Sequence, residues 1–169
     1  MTDERRLPDP VPAIRRLPRG SGVIFRNYGD ASRRALAAVI APICRERRIM
    51  LLVAGDAVLA AAVRADGVHW PEASMRRPRR RMRPRWIVSV AAHSLPAIRR
   101  ARGADQVLLS PVFATASHPG AEPLGTLRFA ALCRRSGVPV VALGGIDDGS
   151  AQRLRPASHA GFAAIGALA

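Results

Sequence analysis

The segment Ile49–Arg64 reads IMLLVAGDAVLAAAVR. Its first half, Ile49–Gly55, is a continuous apolar run, and its second half, Ala57–Arg64, is Ala-rich and helix-like. An apolar run without alternation describes a strand buried on both faces, as in a parallel sheet covered by helices. The same unit recurs on either side. Upstream, Val23–Arg26 (VIFR) precedes a helical pattern, Ala31–Arg47, with Leu36, Val39, Ile40 and Ile43 on one face. Downstream come Gly67–Trp70 (GVHW), then Trp86–His93 (WIVSVAAH) with a helical Ser94–Arg102. Gln106–Val112 (QVLLSPV) is followed by a Gly/Pro/Ser loop and a helical Gly125–Arg135. Pro139–Gly145 (PVVALGG), a short helix Ser150–Arg155 and Gly161–Leu168 (GFAAIGAL) complete the series.

Strands and helices in this register predict an α/β fold, a (β/α)8 TIM-type barrel, with a doubly wound open sheet as the alternative. Residues 1–169 are read as one domain. The opening MTDERR gives no first strand, and no helix pattern follows the last strand. The barrel is therefore expected to lack most of its first strand and its last helix. Open strand edges invite pairing, so dimerisation (a homo-oligomer) or poor solubility is expected.

Composition removes several chemistries. All 27 basic residues are arginine, against 12 acidic ones, for a formal charge of +15. Schiff-base aldolases, pyridoxal-phosphate enzymes and P-loop nucleotidases all require a lysine, so these classes are excluded. Arginine stays protonated, which leaves histidine as the sole basic residue able to act as a general base. Cys44 and Cys133 have no CxxC or Cys/His neighbours and read as buried thiols. No apolar run reaches the roughly 18 residues of a membrane span, and the N-terminus is too charged for a signal peptide, so a cytoplasmic protein without membrane contact is expected. Met75–Arg85 (MRRPRRRMRPR) carries seven Arg and two Pro. It reads as a solvated connection, because no aromatics are interleaved to stack bases. A nucleic-acid patch is the other reading, and a steep salt dependence of binding would distinguish it.

In a barrel the site lies at the C-terminal ends of the strands. Those ends carry Arg26-Asn27-Tyr28, Ala54-Gly55-Asp56, His69-Trp70-Pro71-Glu72, Ala91-Ala92-His93, Ser110-Pro111-Val112, Gly144-Gly145-Ile146 and Ile165-Gly166-Ala167. Small residues after the last two strands let backbone amides approach an anion, so Gly144, Gly145, Gly166 and Ala167 are expected to bind phosphate. Thr115, Ser117 and His118 stand in one loop that can donate to phosphate oxygens. Arg26 is placed to clamp an anion. His93 ends an apolar strand and is a further candidate.

The stretch GADQVLLSPVFATASHPGAEPLG (Gly103–Gly125), followed by PVVALGGID (Pro139–Asp147) and GFAAIGA (Gly161–Ala167), resembles the C-terminal half of the thiamine-phosphate synthase family. VIFRNY, ADGVHW and VAAHSL match its upstream motifs in order, from about Gly20 to Ala169. The related thiazole tautomerases share the barrel. The resemblance implies joining of hydroxymethylpyrimidine diphosphate to a thiazole phosphate, with release of diphosphate. It implies Mg2+ on the diphosphate and no organic cofactor. It assigns Arg26, Thr115 and Ser117 to the diphosphate. It assigns Gly144, Gly145, Gly166 and Ala167 to the thiazole phosphate.

The sequence departs from that pattern at the metal end. Ala54-Gly55 stands where the family has an Asn-Asp pair whose Asp holds magnesium, and Ser74 stands at the second carboxylate. Ile24, Tyr28, His118 and Ala91 replace a Gln, two Lys and a Ser of the family. The tautomerase histidine falls on Pro111. Asp56 and Glu72 are the remaining candidate metal ligands. Three functions are therefore weighed: a synthase of thiamine biosynthesis, an impaired relative that binds a thiazole phosphate or another small phosphate ester, and an Arg-rich nucleic-acid-associated protein.

Overall fold

The computed structural model describes residues 1–29, 31–74, 85–115 and 120–165. It contains seven parallel strands hydrogen-bonded in chain order, β1 to β7. A doubly wound sheet reverses its strand order at a switch point. Sequential order without reversal is instead that of a TIM-type wall, so the structure is α/β and TIM-like, and the doubly wound alternative is set aside. Among the described residues no helix is long and apolar enough to cross a membrane.

The chain divides into two compact units. The first holds α1 (Val11–Arg16), β1 (Gly22–Phe25), α2 (Arg33–Arg47), β2 (Met50–Ala54), α3 (Ala57–Ala62) and the body of β3 (Gly67–Trp70). β1 pairs with β2 from Gly22↔Met50 to Phe25↔Val53, which sets Arg26 just beyond the strand. Phe25, Ile40, Leu52 and Val53 fill the interior. The α2 face differs from the periodic reading. Ala37, Ile40, Ala41, Ile43 and Cys44 are buried, whereas Val39 is 51% exposed and Leu36 half-buried. Alanines let the helix approach the sheet closely and so take contacts that larger residues were expected to make.

The second unit holds a 3-10 turn (Glu72–Ser74), most of β4 (Ile87–Ala92), α4 (Leu95–Arg100), β5 (Gln106–Leu109), α5 (Gly125–Arg135), β6 (Val140–Leu143), α6 (Asp148–Leu154) and β7 (Gly161–Ala163). Side chains start α4 and α6. Ser94 Oγ accepts the Ala97 amide for α4. Asp147 and Ser150 form a reciprocal capping box for α6, satisfying donors that a helix start otherwise leaves open. Phe129 and Leu154 are fully buried between helices and sheet.

Several expected boundaries move. β5 ends at Leu109, because Pro111 cannot extend a ladder. β7 ends at Ala163, short of the expected Leu168, whose surroundings lie outside the described residues. α1 was not expected at all; its VPAIRR offers one turn and a half of weak pattern, with only Ala13 and Ile14 buried. The Arg-rich stretch is outside the described residues from 75 to 84.

Candidate functional site

In the first unit, the ends of β1, β2 and β3 carry Arg26, Asn27, Tyr28, Gly55, Asp56 and His69. Arg26 is already paired: its Nη2 donates to the Asp3 carboxylate. The opening residues hold that carboxylate in place. The Thr2 amide donates to the Ile24 carbonyl at 2.9 Å. The Arg26 amide donates to Thr2 Oγ1 at 2.9 Å, and that hydroxyl donates to Asn27 Oδ1 at 2.6 Å. Burial pushes the Asp3 carboxyl up, but hydrogen bonds from Arg26 and from the Arg6 and Arg5 amides outweigh it, so its pKa lies below the ordinary value. His69 is buried, and desolvation, followed by the Arg26 charge, lowers its pKa to about 4. It is therefore a neutral imidazole at physiological pH.

A second guanidinium reaches the same strand ends. Arg33, in the first turn of α2, donates from Nη2 to the Ala54 carbonyl. Its guanidinium carbon lies 5.2 Å from the centre of the Tyr28 ring and 5.8 Å from that of Phe25. The Tyr28 hydroxyl is raised by burial, against the lowering pull of both Arg26 and Arg33. Both cations therefore bear on one phenol.

In the second unit, Gly144 and Gly145 follow β6 with φ values of +94° and +63°. These are left-handed conformations that favour glycine. A Cβ on Gly144 would stand 2.9 Å from Pro111 Cα, and one on Gly145 would stand 2.5 Å from the Ala114 carbonyl oxygen. The pair is thus packed against the backbone that follows β5, the start of the loop bearing Thr115. Gly145→Val is therefore expected to lower stability by more than about 3 kcal/mol, because backbone atoms must move. A denaturation midpoint equal to that of the parent chain would contradict it.

His93 is exposed. Its Nδ1 lies 2.8 Å from the Ser110 carbonyl oxygen and 3.3 Å from Ser110 Oγ. With Ser94, Leu124, Arg128 and Arg135 it lines an open cavity of about 300 Å³. Ser117, His118, Gly166 and Ala167 lie outside the described residues.

The two carboxylates expected as metal ligands have other partners. Asp56 Oδ1 accepts the Leu59 amide at 2.8 Å and caps α3. Glu72 accepts the His93 amide at 2.9 Å and Arg100 Nη2 at 2.8 Å. Magnesium requires several convergent oxygens. Among the described residues no group of three or more His, Cys, Asp or Glu could hold a metal ion. At Gly55, where the resemblance implies the metal-holding Asp, φ is +69° and a Cβ would stand 3.2 Å from the Tyr28 ring. The residues at these strand ends do not fit magnesium. Cys44 and Cys133 are buried free thiols, each pushed up to about 11 by burial.

Two residues of this arrangement escaped the sequence reading. Asp3 lies 23 positions from Arg26, and Arg33 is one arginine among 27.

Parallel strands in sequential order define a TIM-type α/β protein. A comparison with protein families matches residues 15–168 to thiamine monophosphate synthase, and the chain belongs to that family. A thiamine-phosphate synthase homologue of Aquifex aeolicus is 40% identical over 114 residues, covering 66% of this chain and 61% of that protein. The thiamine-phosphate synthase of Coprothermobacter proteolyticus is 30% identical over 136 residues, covering 78% and 64%. That of Bacillus velezensis is 30% identical over 173 residues, covering 95% and 77%. The chain thus spans about three fifths of the length of the first two relatives. Among solved structures, thiamine phosphate pyrophosphorylase from Pyrococcus furiosus matches with a TM-score of 0.80 at 24% identity, covering 97% of this chain and 82% of that one. That likeness concerns the fold.

Proposed function

We propose that this chain acts on phosphorylated precursors of thiamine, coupling hydroxymethylpyrimidine diphosphate to a thiazole phosphate and releasing diphosphate. The family match across residues 15–168 carries this reading. Two features of the strand ends support it. Gly144 and Gly145 have the backbone that a phosphate-binding turn needs, and Arg26 offers a guanidinium to an anion. Thr115, Ser117, His118, Gly166 and Ala167 complete the proposed phosphate contacts.

The test incubates the purified chain with both substrates and follows thiamine phosphate by chromatography and mass spectrometry. Product is expected, and Arg26→Gln should slow its formation by about tenfold or more, the scale of a lost hydrogen bond to a charged group. Product formation indifferent to Arg26 would remove that residue from the site.

A second reading is an impaired relative that binds a thiazole phosphate without coupling it. The engagement of Asp56 as a helix cap and the shielding of Gly55 by Tyr28 favour it. Calorimetric binding of thiazole phosphate by a chain that forms no thiamine phosphate would establish this second function.

A further inference from the structure

We propose that the strand ends of the first unit meet a diphosphate with guanidinium charge in place of a divalent cation, and that Arg33 is the second anion-binding side chain beside Arg26. The inference rests on reading these strand ends as the diphosphate end of the site.

Three observations converge. First, the position that should present a metal-holding carboxylate is closed. Gly55 has a left-handed φ of +69°, and the Tyr28 ring occupies the space in front of it. Second, a cation has been brought to the same strand end. Arg33 hydrogen-bonds the carbonyl of Ala54, the residue preceding Gly55. A carbonyl is neutral, so the guanidinium charge is left for another partner. Among the described residues no carboxylate forms an ion pair with Arg33, and its Nε is buried without a hydrogen-bond partner. Third, the Arg33 guanidinium carbon lies 5.2 Å from the centre of the Tyr28 ring, and Tyr28 stands two residues from Arg26, so both cations belong to the same strand end.

A guanidinium can do part of what a metal ion does for a diphosphate. It is permanently charged and presents a rigid fork of N–H donors to phosphate oxygens. The Phe25 and Tyr28 rings orient the Arg33 fork from the side, a favourable arrangement for a cation over aromatic faces. In the free protein Asp3 occupies Arg26 as an internal anion, and an incoming diphosphate takes its place.

The test measures binding of inorganic diphosphate by calorimetry in EDTA and again with Mg2+. Binding is expected in EDTA, with no tightening on adding Mg2+. Arg33→Gln should weaken it about tenfold or more under both conditions, Arg33→Lys should weaken it less, and Asp3→Asn should tighten it. Binding that appears only with Mg2+, absence of binding in both conditions, or an Arg33→Gln affinity equal to the parent's would overturn the proposal. A readout on the unaltered protein stands beside these variants. Tyr28 is the chain's single tyrosine, so its phenol titration is seen directly in the ultraviolet. Saturating diphosphate should move that titration to higher pH, since anionic charge opposes the phenolate. An unmoved titration counts against the proposal. These outcomes do not depend on whether thiamine phosphate is formed, so failure of the coupling reaction and failure of this inference are separable.

Discussion

A Gly67→Ala variant is expected to lose more than about 3 kcal/mol of stability, beyond the usual cost of one extra methyl group in a packed interior. Gly67 opens β3, where the Ile87 amide donates to the Asp66 carbonyl at 3.0 Å. A Cβ at Gly67 would stand 1.9 Å from the Ile87 carbonyl oxygen and 2.7 Å from its carbonyl carbon and amide nitrogen. All three are backbone atoms, so no side-chain rotation relieves the contact, and the strand start must separate from Ile87. Gly137 provides the control: nothing lies within 4 Å of its Cβ position, and Gly137→Ala should change stability by less than about 1 kcal/mol. The two midpoints of chemical denaturation decide the matter. Equal midpoints would mean that Ile87 is not held against β3.

Acid should destabilise the protein through His69, before most carboxylates titrate. Its pKa is about 4 in the folded chain, against about 6.5 unfolded. Above pH 6.5 neither state binds a proton there. Between those two values the unfolded chain takes up a proton that the folded chain refuses. Stability is therefore full above about pH 6.5 and falls as pH drops towards 4. The loss approaches about 3 kcal/mol at about 1.4 kcal/mol per pH unit. His69→Gln removes the titrating group and should flatten unfolding free energy over this range, whatever it costs at neutral pH. Parallel curves for variant and parent would show that His69 is not buried as a neutral ring.

The strands were legible because burial on both faces leaves no room for polar residues. IMLLVAG and PVVALGG announce themselves by that criterion. The strand ends were legible too: Arg26 and Gly144-Gly145 directly follow apolar runs, just past the ends of β1 and β6. The interior of α2 was less so. Ranking positions by size put Leu36 and Val39 inward, but packing closely on a sheet favours Ala37 and Ala41. Gly67 could be seen as a glycine within ADGVH, yet its reason is the backbone of Ile87, 20 residues on. Asp56 looked available for a metal, although its place three residues before the Leu59 amide also fits a helix cap. Arg33 gave no linear signal, because a chain that uses arginine for every basic residue hides a working one among those that only face water.

The clasp of Asp3 on Arg26 turns anion binding into a substitution reaction. The Arg26 and Asp3 side chains are 29% and 16% exposed, so the pair is part-buried yet still open to solvent on one side, and a multivalent anion competes there with the resident carboxylate. It must nevertheless leave first. At low ligand concentration the association rate rises in proportion to ligand; at high concentration it levels off at the rate at which Asp3 lets go. Stopped-flow traces would thus time the opening of a segment that the equilibrium affinity conceals.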